Sequence, residues 1–342
     1  MKRITFMLAM LVMLALMGCK DSKDSNDEPD YNKPPRIYMA INDRYVFDIE
    51  GNAIYECPRN SYIIKLASEG KDWYAVRSRH VDNNTVLYEV LKNGTVQFQT
   101  PYWIESMCVE NGDVYTLQLD ESESIDYYLI YKNDQQLYKY DAHDYNFLYN
   151  SFDVVDGHLV AGIGSWNPPT YWIDGNKLTL DIGNLTSYQA TLKAYAREGA
   201  EDLFVVGDNS YRHWYQFKGQ FHELPSDIDV IQAMMVDGIP YILAKNDIEE
   251  QDLLYINGVE YPLITPHMDY EFVWWRGLMR RYGNDVYVLI TTTGNIHSQI
   301  YKRNEPINMS THIESKDVYG NEEHKVPLSD CSITDFIVLP PQ

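Results

Sequence analysis

The sequence predicts an all-β protein: a seven-bladed β-propeller of four-stranded blades, closed by a C-terminal strand that completes the N-terminal blade. Three observations predict it. Tight turns of the Asn-Gly kind recur at a near-constant period. No stretch carries a sustained apolar stripe of helical spacing, and Gly, Pro or Asn breaks the helix-length windows. Composition leans the same way. Of 342 residues 29 are Tyr, a side chain suited to pleated, half-buried surfaces, and 45% are hydrophobic, enough for a core.

The turns give the elements in order. They begin at residues 50, 93, 133, 174, 218, 257 and 304, at intervals of 43, 40, 41, 44, 39 and 47. Members include Tyr88-Glu-Val-Leu-Lys-Asn-Gly94, Tyr171-Trp-Ile-Asp-Gly175 and Leu254-Tyr-Ile-Asn-Gly258. Asn-Gly and Asp-Gly between apolar strands mark hairpins because the tight turn needs φ > 0. A second turn, followed by an alternating strand, lies about 20 residues earlier in the units. It stands at Asn111-Gly-Asp-Val-Tyr-Thr-Leu117, Asp156-Gly-His-Leu-Val-Ala161, Glu201-Asp-Leu-Phe-Val-Val206, Asp237-Gly-Ile-Pro-Tyr-Ile-Leu243 and Gly283-Asn-Asp-Val-Tyr-Val-Leu289. Most units thus read inner strand, turn, second strand, loop, third strand, turn, outer strand. Units of four strands at this period fit a propeller better than a solenoid, whose repeats are shorter.

Closure is visible in the leftovers. The N-terminal unit starts at Ile37-Tyr-Met-Ala40, which matches a second strand, and lacks an inner one. Thr334-Asp-Phe-Ile-Val-Leu339 resembles inner strands such as Phe152-Asp-Val-Val155 and has no hairpin after it. Joining the two closes the ring and abolishes the open edge.

The N-terminal segment carries an address. Lys2 and Arg3 precede an unbroken apolar run of 12 residues, Phe6 to Met17, the length of a signal-peptide core and too short to span a bilayer. The run ends in Leu16-Met17-Gly18-Cys19, which resembles the bacterial lipobox. The resemblance implies a signal peptide over 1–18 and lipidation of Cys19; the apolar-free stretch after it reads as an acidic tether over 19–35, and the repeats as one propeller domain over 36–342. The acidic tract Asp21–Asp30 looks like the surface-export signal of Bacteroidota lipoproteins, and the repeats resemble those of propellers in such lipoproteins. The expected location is therefore the outer membrane, on its periplasmic or its outer side, held by lipid alone. Cys57, Cys108 and Cys331 make an odd set and read as small buried hydrophobes.

Chemistry is mostly excluded. The net charge of −22 disfavours nucleic acid. No nucleophile elbow, phosphate loop, dinucleotide fingerprint or His-Glu-x-x-His occurs, and no His has a partner at metal-ligand spacing, so neither a cofactor nor a metal is implied. The acidic stretches Asp120–Asp126 and Asn246–Asp252 lack the oxygen-ligand spacing of a calcium loop and read as solvated loops between second and third strands.

The remaining signal is topological. One propeller face is built by the loops that join second to third strands and outer to inner strands. It collects Arg79, His80, Trp103, His143, Tyr145, Trp166, His213, His267, Tyr270, Trp274, Trp275, Arg276 and His297. Aromatic platforms with nearby polar groups suit sugar rings or peptide segments. Trp172 and Trp214 lie inside third strands and read as core between blades. The expected function is a non-catalytic binding module for a glycan, peptide or protein. The alternatives are a polysaccharide lyase or glycosidase using carboxylates at the channel mouth, and a scaffold of an envelope assembly.

Overall fold

The computed structural model describes residues 33–341, apart from 42, 83–84, 123, 165–167, 184–189, 209–211, 247, 249–250, 264–273, 294–296, 310–311, 317–322 and 329–330. Seven four-stranded antiparallel sheets form the ring of a seven-bladed propeller. Blade one runs, from the channel outward, Ile333–Leu339, Arg36–Ile41, Tyr45–Asp48 and Ala53–Glu56. The inner strands of blades two to seven are Ser61–Glu69, Trp103–Glu110, Phe147–Val155, Thr191–Glu198, Ile228–Val236 and Trp274–Tyr282. Their second strands are Asp72–His80, Asp113–Asp120, His158–Ile163, Glu201–Gly207, Ile239–Asn246 and Asp285–Thr293. Third strands follow at Val86–Lys92, Tyr127–Lys132, Thr170–Ile173, His213–Phe217, Gln251–Ile256 and His297–Lys302. The outer strands are Thr95–Thr100, Gln135–Asp141, Asn176–Thr179, Gln220–Leu224, Val259–Pro262 and Glu305–Pro306.

The ring closes as the sequence implies. Ile337 pairs with Tyr38 and Leu339 with Arg36, so the last strand is the inner strand of the first blade. The buried hydrophobics of the described residues fall into seven clusters, one for each contact between neighbouring blades. Strand alternation causes this, because successive side chains face opposite neighbours. Trp172 is fully buried between blades three and four, edge-on to Tyr138 and Phe147. Trp214 is half-buried. Cys57, Cys108 and Cys331 are buried and unbridged.

The repeated turns form the lower face. Asn93-Gly94, Asn111-Gly112, Asp156-Gly157, Asp174-Gly175, Asp237-Gly238 and Asn257-Gly258 all have positive φ at both positions, the condition of the tight primed turn. Asn93 Oδ1 accepts the Trp73 N–H at 3.0 Å while its Nδ2 donates to Asp72 at 2.7 Å. Asn133 repeats this with Val114 and Asp113. Lys92–Asp72, Lys132–Asp113 and Lys302–Asp285 are ion pairs at 2.7 Å. The recurrent Lys-Asn in the turn and Asp-x-Tyr in the second strand are therefore one clamp within the blade. Between blades, Glu69 accepts the Gly112 N–H, Glu110 that of Gly157, and Glu198 those of Asp237 and Gly238.

Two features depart from the sequence reading. A hairpin, His312–Lys316 with Glu323–Pro327, stands outside the seven blades between blade seven and the closing strand. Its Ile313 joins the cluster between blades seven and one, beside an outer strand of only two residues. The stretch 246–252 is not a loop throughout. Asn246 ends a second strand, and Asp252 sits in the third strand of blade six, paired with Lys245 and 1% exposed. The strand period turns this carboxylate inward. Among the described residues no helix is long and apolar enough to cross a membrane.

Candidate functional site

Six of the seven inner strands are out of register with their second strands at one point near the upper end of the channel. The shift falls at Ile333/Asp335, Ile63/Lys65, Ile104/Ser106, Leu148/Asp153, Leu192/Ala194 and Val230/Gln232, whereas blade seven pairs without interruption. A bulge leaves an extra residue outside the ladder and re-aims its side chain. The extra residues Thr334, Ile64, Glu105 and Ile231, with Tyr149 and Asn150 of the longer excursion in blade four, line one cavity at the upper mouth. Its volume is about 610 Å³, the size of sites that hold small organic ligands.

Three aromatic rings stand in this wall. Tyr62 is 43%, Trp103 41% and Tyr149 50% exposed, and they are the exposed aromatic side chains of the described residues. Tyr62 and Trp103 hold the same register in neighbouring blades, each three residues before the residue that closes the bulge, Lys65 or Ser106. His80 stands edge-on to Tyr62 and Tyr88 edge-on to Trp103, at 6.0 and 5.4 Å between centroids, which props both rings. Lys65 Nζ lies 5.1 Å from the Tyr149 ring centroid. Asp43 and Glu105 also line the cavity, and neither carboxylate makes a hydrogen bond or ion pair with a described residue.

Below this mouth the channel narrows to a polar waist that ties blades together. Ser106 donates to the Tyr149 carbonyl, Ser151 accepts the Tyr195 N–H and Gln232 accepts the Met279 N–H. Asp335 does most. Its Oδ2 accepts the Leu66 N–H of blade two at 2.8 Å, and its Oδ1 accepts Arg280 Nη2 of blade seven at 2.6 Å.

A second cavity, about 620 Å³, opens at the lower end. Its arginines are spoken for: Arg280 by Asp335, Phe336 and Met279, Arg281 by Glu198 and Gly283, and Arg197 by Gly199. Asp153 reaches water in the lumen, yet protein walls it on every side. That burial pushes its pKa up to about 6, with Arg280 opposing and Glu110 adding to the rise. The lower cavity shares Lys65 and Tyr149 with the upper one, and Asp156 in its wall has no hydrogen-bond or ion-pair partner among the described residues. Tyr62 and Trp103 line the upper cavity and not the lower, so the larger exposed aromatic surface belongs to the upper mouth.

The residues singled out in the sequence do not all come together. Trp103 lines the upper cavity and His80 supports its rim. Arg79 donates to the buried Glu89 at 2.8 Å, beside Arg77, which bonds Glu89 and the Tyr55 hydroxyl of blade one; this cluster is a structural tie. Tyr145 stacks on Tyr140 at 4.3 Å between blades three and four, and exposed His143 sits in the turn before it. His213 is buried at the top of blade five, and burial pushes its pKa down, so it presents no ring to solvent. Trp166, His267 and Tyr270 lie outside the described residues. Trp274, Trp275, Arg276 and His297 occupy the upper ends of inner and third strands in blade seven, with side chains outside the description. Sequence reasoning missed Tyr62, Tyr149, Asp43 and Glu105. The interval of 41 residues between Tyr62 and Trp103, one repeat, was the available signal.

No family model matches the chain, and no curated protein matches it. Among solved structures, the β-propeller domain of the Trilobed protease from Pyrococcus furiosus is similar at 12% identity and TM-score 0.44, over 73% of this chain and 96% of that one. YCF48 bound to D1 peptide is similar at 10% identity and TM-score 0.41, over 88% and 94%. The WD40 repeats of RRP9 are similar at 10% identity and TM-score 0.46, over 74% and 83%.

Proposed function

We propose that this chain is a lipid-anchored propeller of the bacterial envelope or cell surface that works as a non-catalytic binding module, with the upper channel mouth as its ligand seat. The observation that carries the reading is the clustering of Tyr62, Trp103 and Tyr149, the exposed aromatic rings of the described residues, in the wall of one cavity. Three large apolar side chains held in water by three adjacent blades make a contact surface for a planar or apolar ligand.

Chain direction supports the orientation. The polypeptide enters blade one at Arg36, whose Nε bonds the Pro340 carbonyl on the lower face. If Cys19 carries lipid, residues 20–35 reach at most roughly 55 Å when extended. The lower face is then the one tethered near the bilayer, and the aromatic mouth opens away from it.

Two measurements test the reading. Cys19→Ala should move the protein out of the membrane fraction or leave it unprocessed, and normal retention would remove the anchor. The full-length chain in detergent, tested on glycan and peptide arrays, should lose its ligands on Trp103→Ala with an unchanged melting curve. Ligands retained by that variant would place the seat elsewhere.

A further inference from the structure

We infer that the upper mouth takes a cationic ligand, a peptide segment that presents lysine or arginine side chains, an inference that rests on the mouth being the ligand seat. Two carboxylates, Asp43 and Glu105, share the cavity wall with three exposed aromatic rings and have no partner among the described residues. Asp335, the third acid of the wall, is already matched by Arg280. Lys65, the cation of the wall, sits over Tyr149, so the two unmatched carboxylates outnumber it and the described wall is net negative.

The aromatic faces point the same way. Ring faces attract ammonium and guanidinium groups, and the attraction grows as the cation is desolvated. The chain supplies its own example, because the Lys65 ammonium already sits over Tyr149 at 5.1 Å. Among the described residues no cation sits over Tyr62 or Trp103. A neutral sugar would also stack on them and its hydroxyls could donate to Asp43 and Glu105, but it would bring no countercharge to two carboxylates it buries. A cationic side chain matches both surfaces at once. The net charge of −22 draws such a segment in by long-range steering. A bare metal ion fits less well, since it gains little from the rings, and no group of three metal-ligating side chains occurs among the described residues. The cavity also takes its wall from six of the seven blades and holds about 610 Å³, room for a length of chain.

The test is calorimetry on the full-length chain in detergent with three probes: a short arginine peptide, the same peptide with citrulline in place of arginine, and a neutral oligosaccharide. The arginine peptide should bind at least about tenfold more tightly than its neutral isostere. Asp43→Asn with Glu105→Gln should erase that difference while leaving citrulline binding unchanged. Diffuse attraction to a −22 protein would barely notice the loss of two charges, so this variant separates the site from the field. Trp103→Ala should weaken both peptides. Equal binding of the two peptides, abolished by Trp103→Ala, would overturn the cationic ligand and leave the seat standing. Trp103-dependent binding of the oligosaccharide alone would do the same. Binding that ignores Trp103, or no binding of any probe at millimolar concentration, would overturn the inference, and the former would also remove the seat.

Discussion

Asp335→Ala should destabilise the whole ring. Asp335 is 1% exposed and joins three blades through its two oxygens. Removing the carboxylate leaves the buried Leu66 N–H without an acceptor, a cost of about 1–3 kcal/mol. It also breaks the pair with Arg280. A fully buried pair would lose about 3–5 kcal/mol, but Arg280 keeps 26% of its side chain in water and two carbonyl partners, Phe336 and Met279. We discount that part to about 1–2 kcal/mol. The sum is about 2–5 kcal/mol. A propeller of roughly 300 residues has an unfolding entropy near 0.65 kcal/mol/K, so a loss of about 3 kcal/mol lowers Tm by roughly 5 °C. Urea and thermal melts followed by circular dichroism measure it. The double variant Asp335→Ala with Arg280→Gln should lose less than the sum of the singles, because the two groups share one interaction. A single variant within about 1 °C of the parent, or strict additivity, would falsify the view that this carboxylate locks the closure.

Deleting residues 332–342 removes Ile333, Phe336, Ile337, Val338 and Leu339, all buried, at about 1.5–3 kcal/mol each. That loss rivals the stability of most domains, so a soluble truncated chain with the parental Tm would show that the strand is a tail. Asp252 is pushed up to about 7 by burial, with Lys245 only partly opposing, and its Oδ2 has no hydrogen-bond partner among the described residues. The folded state therefore holds a proton that the unfolded state releases near pH 4; the stability this confers is complete below that pH and is lost as pH rises through about 7, up to about 4 kcal/mol. Asp252→Asn imitates the neutral acid, so its Tm relative to the parent should climb between pH 5 and 8, and a constant difference would refute the assignment. Burial pushes the Cys57 thiol up to about 12 and also raises Cys108. Maleimide should then label Cys57, Cys108 and Cys331 only after denaturation, and labelling of the native protein would show that one of the three opens to solvent.

Most of the scaffold was legible in the sequence because it is built from local rules used repeatedly. Asn-Gly and Asp-Gly pairs named the tight turns, and positive φ at both positions is what those residues provide. Closure was legible because Thr334–Leu339 had no hairpin partner of its own. The bulges were not. One extra residue in a strand changes neither composition nor apolar alternation over so short a length, yet it decides that Glu105 lines the channel. Arg79 read as a ligand-face residue because its partner Glu89 is ten positions away, and only cross-strand register brings them together. Asp252 read as loop because charge outweighed the strand period beside it.

The two faces of the ring differ in how their polar groups are used, and that difference locates function. On the lower face many of the repeated polar residues answer one another: Asp72 with Lys92 and Asn93, Glu69 with Gly112, Glu198 with Asp237, Gly238 and Arg281. Groups satisfied within the fold have no reason to bind a ligand, and the regularity of the repeat is the mark of that internal matching. At the upper mouth one backbone device, the bulge, recurs around the ring while its side chain changes from Thr334 to Ile64 to Glu105 to Ile231. Folding alone would be served by one residue type at every bulge. Instead the rings stand on blades two to four, Ile231 lies on blade six, and the wall's carboxylates without a partner among the described residues are Asp43 and Glu105. An asymmetric wall on a symmetric frame can hold a ligand in one orientation, as a uniform collar could not.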